Sequence, residues 1–144
     1  MGEQNFKNHS RLVPMFHGVA FTAALFPFVI FIIEFIKAIG NESGRLHASA
    51  MLSLSVALIL ALWFSRVFSL KAQDRAIRAE ENFRHFIATG KILDSRLRMS
   101  QIIGLRFEGD DEFVALAKQA ADENLSEKQI KMAVKNWKAD NDRA

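Results

Sequence analysis

The chain has 144 residues, of which 50% are hydrophobic and 24% charged, and its formal net charge is +3. This length holds one membrane unit and at most one small soluble unit. The lack of cysteine excludes disulfides, thiolate metal sites, cysteine nucleophiles and c-type haem attachment, and so small a net charge selects no class of partner by itself.

Residues 1–11 form a short polar segment. From Leu12 to Ile33 there are 22 residues without a formal charge, long enough for a helix to cross a bilayer. A secretory signal would have a shorter apolar core with a small-residue cleavage site close behind it. Here the nearest such site, Ala48-Ser49-Ala50, lies inside the next apolar stretch. Pro14 falls in the first turn, where a missing N–H costs little; Pro27 falls in the interior and predicts a kink. Glu34 to Leu46 reads as the connection, with turn chemistry at Gly40, Asn41, Ser43 and Gly44.

His47 to Phe64 is a second run, 18 residues with no Asp, Glu, Lys or Arg. The two spans, about 12–33 and 47–66, predict an antiparallel transmembrane hairpin over 12–70. Ser49, Ser53, Ala57, Ala61 and Ser65 recur at every fourth position of the second span and give it one smooth ridge. Small residues let membrane helices approach closely, so the ridge is expected to be a helix contact, within the hairpin or between subunits.

Helical patterning continues past the span without Pro or Gly up to Ala88, which predicts one long rod. Asp74–Arg78, Glu80–Arg84 and Glu81–His85 have the favourable acid-first i,i+4 order, and Gly90 is a C-cap candidate. Beyond it, 71–144 is expected to end in a small helical cytosolic tail. Ile92, Leu93, Leu97, Ile102, Ile103, Leu105 and Phe107 supply apolar contacts. Asp110, Asp111 and Glu112 open one helix. Ser126 and Gln129 form a capping box for the last, with Leu125 and Ile130 at the staple positions. Ile130, Val134 and Trp137 lie at i, i+4 and i+7, a face for tail packing or for a partner.

Basic residues near the spans set orientation. Arg11, Arg66, Lys71, Arg75 and Arg78 are the candidate contacts to anionic lipid, and together with Lys7 they outweigh Lys37 and Arg45 in the connection. Both termini are therefore expected to be cytoplasmic. Nine basic and four acidic residues from Arg66 to Arg106 give +5; Glu108 to Glu127 carries −6 and Lys128 to Ala144 carries +3.

Two passages carry a family resemblance: Gln4-Asn5-Phe6-Lys7-Asn8-His9 with Arg11-Leu12-Val13-Pro14, and Lys131-Met132-Ala133-Val134-Lys135-Asn136-Trp137-Lys138-Ala139-Asp140. Ser69 to Arg75 and Ile103 to Phe107 fit as well. On these residues the chain resembles an uncharacterised bacterial family of small two-pass membrane proteins, a domain of unknown function. The resemblance implies the hairpin-and-tail layout over nearly the whole chain and implies no activity.

No metal or haem site is expected, because His17 and His47 fall at opposite ends of their spans. No nucleophile–base set, phosphate loop or dinucleotide fingerprint is present, and no small-molecule substrate is indicated. Acids interleave the basic rod, and no aromatic platform for nucleic acid accompanies it. The sequence thus predicts an all-α, non-enzymatic, cofactor-free two-pass protein of the inner membrane. Its expected role is that of an accessory or scaffold subunit whose partners are lipids and other membrane subunits or itself. A homo-oligomeric channel or transport component is the alternative.

Overall fold

A computed structural model of the chain describes residues 5–6 and 13–140, the side chains of residues 42 and 43 excepted. The described residues are all-helical and contain no strand. Pro14, with φ −59°, opens the first apolar stretch at a position whose N–H would be unsatisfied in any case. The first turns, Met15–Ala20, are π-helical and lead into α1, Phe21–Lys37, which carries Pro27 in its interior. A 3₁₀ turn, Ala38–Gly40, and the extended Asn41 lead to α2, Glu42–Thr89, a single helix of 48 residues. The connection is therefore shorter than the sequence suggests. Glu34–Lys37 completes α1, and the Asn41 carbonyl already accepts the Arg45 N–H at 2.9 Å, so helix resumes before Gly44.

The described residues divide into two compact units, one within Arg11–Phe68 and the other from Ser69 onward together with residues 5–6. In the first, the buried positions are small: Ala24 on α1, and Ala48 and Ser55 on α2. Nearly everything large and apolar points outward, including Leu25, Phe26, Val29, Leu54, Leu58 and Phe64. The most apolar windows of the two long helices are only 6% and 11% buried within the chain. By length and composition both helices are able to cross a membrane.

In the second unit α2 stops at Thr89. Gly90, at φ +74°, takes the left-handed conformation open to a residue without Cβ, and its N–H reaches the Phe86 carbonyl at 2.7 Å. Three short helices follow: α3, Met99–Leu105; α4, Asp110–Asp122; and α5, Glu127–Ala133. Ile77 from α2 joins Leu93, Leu97, Ile102, Leu105, Phe113, Leu116, Ala117, Ala120 and Ile130 in one core. Ile92 is not among them. It is 70% exposed, while Leu93 turns inward with its N–H on the Asn82 side-chain carbonyl at 3.2 Å.

α3 and α5 touch closely because Gly104 has no side chain. A Cβ there would lie 3.1 Å from Ile130 Cγ2 and 3.3 Å from the Glu127 carbonyl. Buried Gln101 ties the layers by donating to the carbonyls of Leu125 (2.9 Å) and Ala120 (3.3 Å), while its oxygen caps the Arg98 N–H at 2.7 Å. Ser126 and Gln129 form the expected capping box of α5.

α5 ends earlier than its i, i+4, i+7 pattern implies. Val134 leaves the helix with ψ 122°, so Trp137 does not share a helical face with Ile130. It lies instead in an extended stretch that makes an isolated antiparallel bridge with Glu108.

Candidate functional site

The polar centre of the tail is built on two side chains, Glu108 and Arg84. Glu108 precedes α4 and is 1% exposed. Its Oε1 accepts the backbone N–H groups of Gly109 and Asn136, and its Oε2 accepts that of Lys135, each at 3.0 Å. Backbone donors that α5 would otherwise carry forward are thus turned onto a carboxylate, which is why the helix stops at Ala133. The Lys138 N–H on the Phe107 carbonyl, at 2.8 Å, holds the same stretch straight. Trp137 then lies flat on Phe107, with ring centroids 4.7 Å apart and planes at 19°.

Arg84 reaches this centre from α2. Its guanidinium donates to the Glu108 carbonyl (2.6 Å), to Asp110 Oδ1 (2.6 Å) and to Glu81 Oε2 (3.1 Å), and it covers the Phe113 ring at 4.0 Å. The expected Glu80–Arg84 pair does not form, because the Arg84 donors are taken by Glu81, the Glu108 carbonyl and Asp110. His85 likewise turns from Glu81 to the Lys91 carbonyl, 2.7 Å from Nδ1.

Beside this hub lies a cleft of about 270 Å³ lined by Gln73, Ala76, Ile77, Glu80, Glu81, Arg106, Lys138, Ala139 and Asp140. Within it Arg106 pairs with Asp140 at 3.1 Å, and Glu81 pairs with the neighbouring Arg84 at 3.1 Å. Burial raises the Glu81 carboxyl above its ordinary 4.5, against the opposing pull of Arg84 and Lys138. On the surface, Arg96 bridges Asp94 (2.7 Å) and Asp122 (2.9 Å), and its hydrogen bonds lower Asp94 to about 2. Among the described residues no group of three or more His, Asp or Glu side chains is placed to hold a metal.

In the hairpin, Ser49 is half-buried, whereas Ser53, Ala57, Ala61 and Ser65 are exposed. The chain's own first span does not cover this ridge. An i+4 row drifts about 40° per step, while the inward face of α2 follows Ala48, Leu52, Ser55, Ile59 and Leu62 at alternating steps of four and three. The Ser49 and Ser53 hydroxyls donate to their own helix, to the carbonyls of Leu46 and Ser49 at 2.8 Å each, which leaves the ridge smooth and satisfied. Of the basic set, Lys71, Arg75 and Arg78 share one exposed side of α2, Arg66 lies on another, and Arg11 lies outside the described residues. In the tail, Ile130 is in the core, Val134 packs at its edge and Trp137 is half-buried.

A family model described as a family of unknown function, DUF6526, matches residues 1–144. The chain belongs to this family. No curated protein and no solved structure matches the DUF6526 chain, so its site is read from geometry alone. Sequence reasoning missed Glu108 and the bridging role of Arg84. The one local signal was an acid directly before Gly109, whose hydrogen atom allows a close approach: a Cβ there would sit 3.0 Å from Asn136 Cβ.

Two outcomes are expected for the DUF6526 tail. Glu108→Gln sets an amide N–H₂ against backbone donors and should cost about 1–3 kcal/mol. Hydrogen exchange at Lys135 and Asn136 should speed up by roughly tenfold or more; unchanged protection would refute the role given to the carboxylate. For Glu81 the folded pKa lies above the unfolded 4.5, so its proton-linked stability is fully present below that value and is lost as pH rises through the folded one. Glu81→Gln should gain in melting temperature relative to the parent as pH rises from 4.5 toward 7.5. Parallel melting curves would contradict the assignment.

Proposed function

We propose that this chain is a non-enzymatic integral protein of the bacterial inner membrane, a scaffold or accessory subunit that packs on other membrane helices and presents a folded tail to the cytoplasm. The observation that carries this reading is the outward apolar surface of the two long helices, 6% and 11% buried in their most apolar windows. At about 25 cal/mol per Å², such a surface requires lipid or protein cover. The ridge Ser53–Ala57–Ala61–Ser65 fits protein cover. It is exposed in the single chain, and its serines do not depend on a partner for hydrogen bonds.

The tail supports the same role. Its buried polar groups are spent on holding its own fold, an arrangement suited to presenting a surface more than to turning over a substrate. Both termini are assigned to the cytoplasm by the Lys/Arg asymmetry. Arg66 and Lys71 are the nearest headgroup contacts. Arg75 and Arg78, which share one exposed side of α2 with Lys71, extend the same basic set.

Leucines on the ridge hold backbones apart without reducing hydrophobicity. Ala57→Leu with Ala61→Leu should therefore insert as the parent does yet lose the parent's assembly mass in mild detergent, while Leu58→Ala, off the ridge, keeps it. Identical masses for the double variant and the parent would remove the ridge from assembly. A closed homomeric ring that passes ions in liposomes would replace the scaffold reading with a pore. Active alkaline phosphatase fused to the tail, with none in residues 40–44, would reverse the topology.

A further inference from the structure

The stretch of α2 beyond Phe68 has a second apolar face. Ser69, Ala72, Ala76, Ala79, Phe83 and Phe86 follow one another at steps of three and four, and all six are exposed, Phe83 by 65% and Phe86 by 52%. The tail packs on the other side of the helix through Ile77, Glu81 and Arg84, and its cleft reaches round to Ala76 and Glu80, which stay exposed at the edge of this face. A strict three–four alternation is the a/d pattern of a coiled coil, with Ser69, Ala76 and Phe83 at a and Ala72, Ala79 and Phe86 at d.

The flanking charges indicate what lies on this seam. In that register Arg75 is a g position and Glu80 is the e position five residues later. A g side chain meets the e side chain five residues on only across a parallel pair of helices. Arg75 and Glu80 are both exposed, and among the described residues neither forms an ion pair. Two copies of one chain inserted the same way in one bilayer have their α2 helices parallel and at equal depth, so each Arg75 meets the other copy's Glu80. Small residues at Ser69 to Ala79 let the helices close together, and Phe83 and Phe86 fill the wider end. α2 is helical without a break through this stretch.

We propose that the occupant of this face is a second copy of the chain, joined as a parallel two-stranded coiled coil over 69–86 with reciprocal Arg75–Glu80 pairs. This rests on the membrane reading above, which supplies the parallel alignment.

The chain has no cysteine, so single substitutions report cleanly. In membranes of cells expressing the full chain, oxidation should cross-link Ala72→Cys, Ala76→Cys and Ala79→Cys to dimers at least about fivefold more than Lys71→Cys, Arg78→Cys and Ala88→Cys, which lie off the seam. Adding Arg75→Glu to Ala79→Cys should lower the yield roughly tenfold, since two attractions become two repulsions. Adding Glu80→Arg as well should restore it. Yields equal around the helix, or indifferent to Arg75→Glu, overturn the dimer. Protection of the seam cysteines from a water-soluble maleimide without cross-linking puts lipid there and overturns it too. Retention of the chain in carbonate-washed membranes with a flat cross-linking profile sinks the dimer alone. Loss of the chain from those membranes sinks the membrane reading, and the enforced alignment with it.

Discussion

The tail is organised around the Arg84 guanidinium. One planar cation on α2 satisfies a main-chain carbonyl ahead of α4, a carboxylate in the first turn of α4 and a carboxylate on its own helix, and it shields the face of Phe113. The fork geometry of Arg is what permits donors to aim in three directions; a lysine ammonium on a flexible stem lacks that arrangement. With side-chain exposure of 14%, the group is largely removed from water. Its three acceptors therefore have to be in place together, and a partly satisfied buried network costs more than an apolar one. The position of α4 against α2 is set by that requirement, and Phe113 enters the core as a result.

The second joint follows from the first. Once Arg84 holds the Glu108 carbonyl, the Glu108 side chain is directed at residues 135–136 and replaces the helical carbonyls their N–H groups would have used. α5 is short for this reason, and the aromatic pair Phe107–Trp137 forms because the chain beyond α5 is extended. A carboxylate thus ends a helix from 27 residues away.

What the sequence made legible was local. The length of α2, the left-handed Gly90, the acid-rich start of α4 and the Ser126 capping box are each written within a few neighbouring residues, and each is where periodicity and capping rules put it. The misreadings share a different origin. Spacing alone puts Trp137 on a helical face, yet the carboxylate that ends that helix, Glu108, stands 27 and 28 positions before the N–H groups it takes. The i,i+4 rule matches Arg84 with Glu80, yet its partners at Glu108 and Asp110 lie 24 and 26 residues on. The turn-forming residues Gly40, Asn41, Ser43 and Gly44 suggest a longer connection between the spans, although Asn41 alone separates the 3₁₀ turn from α2. For the ridge on the second span, the sequence named the small residues but not which side of the helix its own partner takes.

The way Glu108 is held has a consequence for ionic strength. Its oxygens are met by backbone N–H groups inside the fold. Dissolved salt weakens attraction between exposed ions, so the Asp94–Arg96–Asp122 cluster on the surface should soften in concentrated brine. The anchorage of residues 135–138 lies beyond the reach of that screening. A tail fastened in this way keeps its C-terminal stretch docked across wide swings in salt, while the contacts decorating its surface come and go.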